Sequence, residues 1–321
     1  MWQKKGTIIV GVLLSLIVLM SGTNVAFACS GGLARETYTV TVDSPVYVNV
    51  QHIYKPHAPS CGAVVMVHGG WHTSFFYHFD DYSKYSLMEF LAKRRFDTYA
   101  LDLRGCGASY KGDYLWYAAV SLQDYVEDLR AVIAEIQELG YEKIFLIGHS
   151  FGGMVAILYA AEYPETLLGL VIFGTPFLEC GLPPELLEQL RYTAIAYPVI
   201  PCSPELIQPM FFQGSVEPEI LEKTTNIVAQ EVLPSTAVLQ GFTFSYAGKV
   251  SEIPEDIPVL LLKAELDPIV LMPDAEDFLN ALVSRDKMLL IIKGHGHDLL
   301  LEKKPRKVYR VFFLWLLRRV H

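Results

Sequence analysis

The chain has 321 residues, 52% of them hydrophobic and 19% charged, with a net charge of −9. That length and composition suit one large domain, or a domain carrying an insertion, and exclude a disordered or low-complexity chain. The acidic balance would repel nucleic acid, and no nucleic-acid-binding signature offsets it.

In chain order, residues 1–28 are expected to be an export signal. Lys4 and Lys5 form the basic start, residues 7–20 the apolar stretch, and Ala26-Phe27-Ala28 a small-x-small cleavage site. The apolar stretch is short for a spanning helix, although residues 21–24 would lengthen it into an uncleaved membrane anchor. Cys29 follows the site directly, where a lipoprotein would carry its lipid. Phe27 is too bulky for a good lipid-attachment box, so plain secretion is the expectation and a lipid anchor the alternative. Five cysteines in an exported chain allow two disulfides, and Cys180 and Cys202, which share a segment, are the expected pair. None of the five has metal-ligand spacing, so no metal is expected, nor any cofactor.

Residues 37–42 and 46–54 alternate or run β-branched and aromatic, as two antiparallel strands joined at Asp43-Ser44-Pro45. Residues 63–67 read as a buried strand ending in His68-Gly69-Gly70-Trp71. Glycines just past a strand let the backbone bend so that an N–H points into a cleft. His68 reads as a structural hydrogen-bonding residue rather than a catalytic base. A helix is expected over 82–93 and a strand over 98–103. The loop Arg104-Gly105-Cys106-Gly107-Ala108-Ser109 that follows has neither nucleotide-binding register. A helix over 122–139 carries Asp124, Glu127 and Asp128 on what reads as a solvated face.

The sharpest stretch is Lys143 to Gly153. Ile144-Phe145-Leu146-Ile147 is apolar without alternation, a strand buried on both faces, and the apolar run after Gly153 suits a buried helix. Ser150 in Gly148-His149-Ser150-Phe151-Gly152 therefore sits on a strand-to-helix bend that pushes its hydroxyl out of the sheet, in the G-x-S-x-G pattern. The bland alternative is a serine that merely caps the helix. Another strand is expected over 168–173.

Strands and helices thus alternate from 63 to 176, as in a parallel sheet covered on both faces. From 177 to 254 helical stretches appear without a convincing buried strand. The alternation resumes at 258–263 and 287–292. This makes 29–176 and 255–321 two parts of one sheet domain, with 177–254 a helical lid over the end where Ser150 lies. The resumed strands end in Glu265-Leu266-Asp267-Pro268 and in His295-Gly296-His297-Asp298. A serine hydroxyl needs a base to take its proton, and the base a carboxylate to fix its tautomer. The residues alone leave both His295 and His297, and both Asp267 and Glu265, in contention. Asp298 reads as a surface or capping residue. The tail 303–321 reads as the closing helix of the fold, with an amphipathic membrane-surface helix as the alternative.

Together, His68-Gly69-Gly70-Trp71, Gly148-His149-Ser150-Phe151-Gly152, the Asp267 loop and Gly296-His297-Asp298 resemble the lid-bearing α/β-hydrolases, a family of serine esterases and lipases, over about residues 38–317. The resemblance implies a mostly parallel sheet of about eight strands flanked by helices. It assigns Ser150, Asp267 and His297 as a catalytic triad, and the N–H groups of Gly70 and Phe151 as oxyanion donors, with Trp71 as a fallback. It implies a small-molecule ester or lipid substrate cleaved through an acyl-serine. By composition, aromatic and aliphatic residues of the lid, among them Phe177, Leu178, Ile207, Met210, Phe211, Phe212, Phe242, Phe244 and Tyr246, would either line an apolar acyl pocket or pack on one another. Peripheral membrane contact is the further partner to consider.

Overall fold

The computed structural model describes residues 26–30, 32–80 and 82–320. The expected leader, apart from its last three residues, lies outside them, so neither a cleavage nor an anchor is visible. No helix among the described residues is long and apolar enough to cross a membrane.

Chain order runs β1 (Ala26–Ser30), β2 (Leu33–Asp43), β3 (Val46–Tyr54), β4 (Gly62–Val67), α1 (Leu87–Ala92), β5 (Phe96–Asp102), α2 (Tyr114–Ala118), α3 (Leu122–Glu138), β6 (Ile144–His149), α4 (Phe151–Glu162) and β7 (Leu167–Phe173). The intervening segment holds α5 (Pro184–Ala196), β8 (Val199–Pro201), α6 (Pro204–Phe211), α7 (Pro218–Val228), β9 (Val232–Pro234) and α8 (Ser235–Phe242). Then come β10 (Val259–Ala264), α9 (Met272–Ala281), β11 (Lys287–Ile292) and α10 (Pro305–Leu317). Nine strands form one sheet in the order β1-β2-β3-β5-β4-β6-β7-β10-β11. β1, β2 and β3 are antiparallel to their neighbours, and everything from β5 to β11 is parallel. Parallel neighbours cannot be joined by a tight turn, so each crossover is a helix, and both faces of the sheet end up covered.

The period-2 alternation of strand side chains sorts the core into two layers. Val64, Met66, Phe145, Ile147, Val171 and Phe173 face α1 and α10. Ala63, Val65, Val67, Leu146, Leu170 and Ile172 face α3, α4 and α9. α10 buries Val308, Phe312, Trp315 and Leu316 in the first layer, with Phe312 against Phe173 and Trp315 against Phe145. Each such side chain contributes about 1.5–3 kcal/mol when buried. The apolar face of α10 is thus taken up by the sheet, as the closing-helix reading expects.

Four expectations need correction. The helix expected over 82–93 is confined to α1, because Ser86 is extended and caps it by accepting from Glu89 N–H. Asp128 does not lie on a solvated face: it is fully buried and accepts from Arg104 Nε at 2.8 Å and Arg104 N–H at 2.9 Å. Burial raises its pKa to about 6 against the pull of Arg104. Cys180 and Cys202 are free thiols. Cys180 lies in the loop whose Gly181 N–H bonds Ile269 O, whereas Cys202 follows β8, whose Ile200 carbonyl is taken by Trp71 Nε1. Finally, residues 177–254 do contain strands, the three-residue pair β8–β9, although these stand apart from the main sheet.

The inserted segment has no separate core. Ile207, Phe211, Ile220 and Leu233 join the first layer, and Ala237, Tyr246 and Val250 the second. Two buried carboxylates tie it down. Asp274 of α9 accepts the N–H groups of Phe177, Leu178 and Glu179. Glu302 accepts those of Gly214 and Gly296, at 2.7 and 2.9 Å.

Candidate active site

The bend between β6 and α4 is as tight as the glycine spacing implies. A Cβ on Gly152 would sit 2.3 Å from His68 O, and one on Gly148 2.7 Å from Gly152 O, so neither position accepts a side chain. Ser150 adopts φ 51°, ψ −119°, a conformation that costs a non-glycine residue about 1–3 kcal/mol. Its surroundings hold it there: its N–H donates to Phe173 O at 2.9 Å, and Thr175 Oγ1 donates to its carbonyl at 2.8 Å. The side chain makes no capping hydrogen bond to α4, which removes the capping alternative.

From the far side of the sheet, the loops after β10 and β11 bring an acid and an imidazole together. Asp267 Oδ2 lies 2.9 Å from His297 Nδ1, with both residues buried. The other carboxylate oxygen, Oδ1, accepts the N–H of Ile269 at 2.8 Å, which fixes the plane of the group. Nδ1 of His297 faces a carboxylate and so carries the hydrogen, leaving Nε2 as the basic nitrogen. That Nε2 is buried and has no hydrogen-bond partner. The two competing residues are engaged elsewhere, since His295 Nδ1 meets Lys293 O and Glu265 accepts Gly294 N–H.

His297 rests beside His149, the residue before Ser150, with ring centroids 4.9 Å apart. His149 Nε2 lies 3.3 Å from the His297 carbonyl. Burial opposes charge on His297, but Asp267, and after it Asp298, more than offset this, so its pKa is raised above the ordinary imidazole value. Lys263, buried under the acid loop and donating to the carbonyls of Ala264 and Asp267, works in the other direction. His149 itself is pushed well below the ordinary range, by burial first and then by the other histidines. It is a neutral support.

The glycine loop after β4 closes the site. A Cβ on Gly69 would lie 3.2 Å from that of Ser150, and one on Gly70 3.7 Å from that of Phe151. The N–H groups of Gly70 and Trp71 donate to no other group among the described residues, and Phe151, as the first residue of α4, has no acceptor within the helix. Unengaged N–H groups next to a serine hydroxyl suit stabilisation of a developing oxyanion. His68 is structural: its Nδ1 donates to Gly69 O at 2.8 Å, its Nε2 accepts from Leu103 N–H at 3.1 Å, and burial lowers its pKa to about 4.

An apolar cavity of about 110 Å³ opens beside Ser150, lined by Gly70, Trp71, Phe151, Met154, Leu233 and Val238 among others. Of the residues expected to line an acyl pocket, Met210, Phe211, Phe242 and Phe244 do so. Phe177 instead stacks on Phe278, Tyr246 is buried with its hydroxyl on Pro176 O, and Leu178 is exposed. Asp298 is neither superficial nor a surface cap; it is fully buried and meets His72 Nε2 at 2.9 Å. Among the described residues, the one grouping of metal-type ligands is His149, His297 and Asp298, with ligand atoms within 4.8 Å of one another. His297 is already committed to Asp267 in that grouping.

A parallel sheet with a strained serine after β6, and loops after β10 and β11 that pair an acid with a histidine, defines the α/β-hydrolase class. Residues 58–304 match the family described as Serine aminopeptidase, S33, and the chain belongs to that family. This places it in the α/β-hydrolase superfamily. Among curated relatives it is 36% identical over 128 residues to human epoxide hydrolase 4, an alignment spanning 37% of this chain and 32% of that one. It is 37% identical over 112 residues to cis-3-alkyl-4-alkyloxetan-2-one decarboxylase of Shewanella oneidensis, spanning 35% of this chain and 32% of that one. The chain thus matches only about a third of the length of these relatives. Among solved structures it is similar to a monoacylglycerol lipase of Paleococcus ferrophilus, with a TM-score of 0.66 at 22% identity over 85% of this chain and 99% of that one. A thermophilic esterase from Thermogutta terrifontis gives 0.65 at 21% identity, over 89% and 99%. At such identities these two matches establish the fold.

Proposed function

We propose that this chain hydrolyses carboxylic esters of apolar acyl groups through an acyl-Ser150 intermediate. Ser150 Oγ attacks the ester carbonyl carbon while its proton passes to His297 Nε2. The carbonyl oxygen becomes an oxyanion held by the N–H groups of Gly70 and Phe151. Collapse breaks the acyl C–O bond, and the proton moves from His297 to the departing alkoxide. Water then repeats the sequence on the acyl-serine, releasing the acid and restoring the serine. Asp267 keeps the proton on Nδ1 and stabilises the imidazolium between steps.

The observation that carries this reading is the buried 2.9 Å contact of Asp267 with His297 Nδ1, which leaves Nε2 unpartnered. The apolar lining of the cavity supports the acyl preference. The human relative is named as an epoxide hydrolase, but a serine at the elbow would be a poor source of the alkyl-ester intermediate that an aspartate nucleophile gives, so acyl transfer is the better reading. The leader-like residues 1–28 support action outside the cytoplasm, which mass spectrometry of the mature N-terminus tests; an intact Met1 would refute cleavage. The activity is tested with a fluorescent phosphonate and a panel of p-nitrophenyl esters. Labelling at Ser150, with rates rising from acetyl to medium-chain acyl groups, is expected. Absence of labelling would end the proposal, and a flat chain-length profile would end its acyl preference.

A further inference from the structure

Behind the proposed catalytic groups stands a second acid–imidazole pair. Asp298 follows His297 directly in the chain and is fully buried, and its Oδ2 lies 2.9 Å from Nε2 of His72, which is 1% exposed. The other ring nitrogen of His72 lies 2.7 Å from Gly70 O, a carbonyl that only accepts, so Nδ1 carries a hydrogen. The backbone N–H of His72 donates to Gly69 O at 3.2 Å, where His68 Nδ1 also donates.

These bonds decide where two amides point. Within a planar trans peptide the C=O and the N–H point in opposite directions. Anchoring Gly69 O therefore sets the direction of Gly70 N–H, and anchoring Gly70 O sets that of Trp71 N–H. His72 holds both amides from which an oxyanion donor beside Phe151 can come, one through its main chain and one through its ring. The loop needs external ties, since Trp71 sits at φ 58°, unfavourable for a bulky residue. At the other end of the pair, Asp298 N–H donates to Phe211 O at 2.9 Å, which fixes the segment carrying His297.

We infer that His72 and Asp298 are positioning residues that join the oxyanion loop to the catalytic-histidine loop, so that donor amides and base are held in one frame. The inference rests on the reading of Ser150 as an acyl-accepting nucleophile. Asp298 also adds to the charge around His297. The titratable or charged groups acting on that ring are Asp267 and Lys263 from β10 and its loop, His149 from β6 with His72 and His68 behind it, and Asp298 from its own segment. From the inserted segment, the Cys202 thiol feels Asp298, although burial is the larger influence on it.

The test uses the full chain and a p-nitrophenyl ester, with Asp298→Asn, His72→Ala, His72→Asn and the double variant Asp298→Asn/His72→Ala. Asp298→Asn keeps the shape of the buried side chain, and thermal melting identifies any variant that has simply unfolded. Asp298→Asn and His72→Ala should each lower kcat about tenfold with KM nearly unchanged, short of the roughly 10²–10³-fold that loss of an oxyanion donor costs. The rate of phosphonate labelling should fall in parallel. Because the pair acts as one tie, the double variant should lose no more than the worse single one. His72→Asn, whose amide N–H can take the place of Nδ1–H, should recover part of the loss. Unchanged kcat in folded variants, losses that multiply in the double variant, or no recovery in His72→Asn would each overturn the inference. Wild-type protein that resists the phosphonate removes the serine-nucleophile reading as a whole, whereas labelled wild type with indifferent variants removes only the tie.

Discussion

Two regions meet over Ser150, and they are built by different rules. In β4 and β6 every residue from Ala63 to Val67 and from Ile144 to Ile147 is fully buried, and neighbouring strands fix each position through register. In the inserted residues 177–254 the helices are short, and α5 leaves Tyr192 and Ile195 exposed at 71% and 76%. The segment is attached by side chains that join both core layers and by ties such as Asp274 and Glu302. The sheet is over-determined, so it can hold a serine at φ 51° at a cost of about 1–3 kcal/mol without the bend relaxing. The insertion contributes apolar walls to the cavity, and its Phe211 carbonyl accepts Asp298 N–H. Under the proposed function, reaction is assigned to the first region and selectivity to the second.

The largest test of that division is Ser150→Ala, which should remove phosphonate labelling and lower kcat by a factor on the order of 10⁴ or more, with melting unchanged. A residual rate within tenfold of wild type would place the chemistry elsewhere. Next come the loops after β10 and β11. Asp267→Asn should cost about 10⁴-fold in kcat by unsettling the His297 tautomer, and Glu265→Gln should cost little. His297→Ala should be as damaging as Ser150→Ala, and His295→Ala nearly silent; the opposite pattern would exchange the two histidines.

The pH profile sharpens the same point. His297 must be neutral to act as a base, and its pKa is raised, so kcat/KM should climb with pH through an acid limb above the ordinary imidazole value of about 6.5. A limb lying below that value would contradict the pull of Asp267 and Asp298.

The insertion is probed by Phe242→Ala. Losing one lining aromatic should reduce kcat/KM for a medium-chain ester about tenfold and leave acetate within about twofold. Equal losses on both esters would mean that the wall also supports the chemistry. Smallest of all is the response to reductant. With Cys180 and Cys202 unpaired, dithiothreitol should leave the melting temperature of the chain where it was, and a clear drop would indicate a disulfide.

Much of this protein could be read before any coordinates. The unbroken apolar runs Ile144-Phe145-Leu146-Ile147 and Val259-Leu260-Leu261-Leu262 imply strands buried on both faces, and the glycines flanking Ser150 imply a bend too tight for side chains. Local pattern suffices in such cases, because burial and backbone geometry leave few alternatives. It did not suffice for groups whose role depends on a distant partner. Nothing near Asp128 in the sequence announces Arg104, and nothing near Asp298 announces His72, 226 positions away. The choice of His297 over His295 as the ring that meets Asp267 was likewise made in three dimensions: both follow a glycine in adjacent positions, but the turn after β11 directs one ring inward to the acid and leaves the other on Lys293. Sequence alone marked eight of the nine strands of the main sheet, their helical crossovers and the bend at Ser150, because those follow from periodicity and chain stiffness; β1, read as part of a leader, was not among them. Only the tertiary structure decided which acid meets which imidazole, since a hydrogen bond reaches about 3 Å and no local pattern encodes which distant atoms come that close.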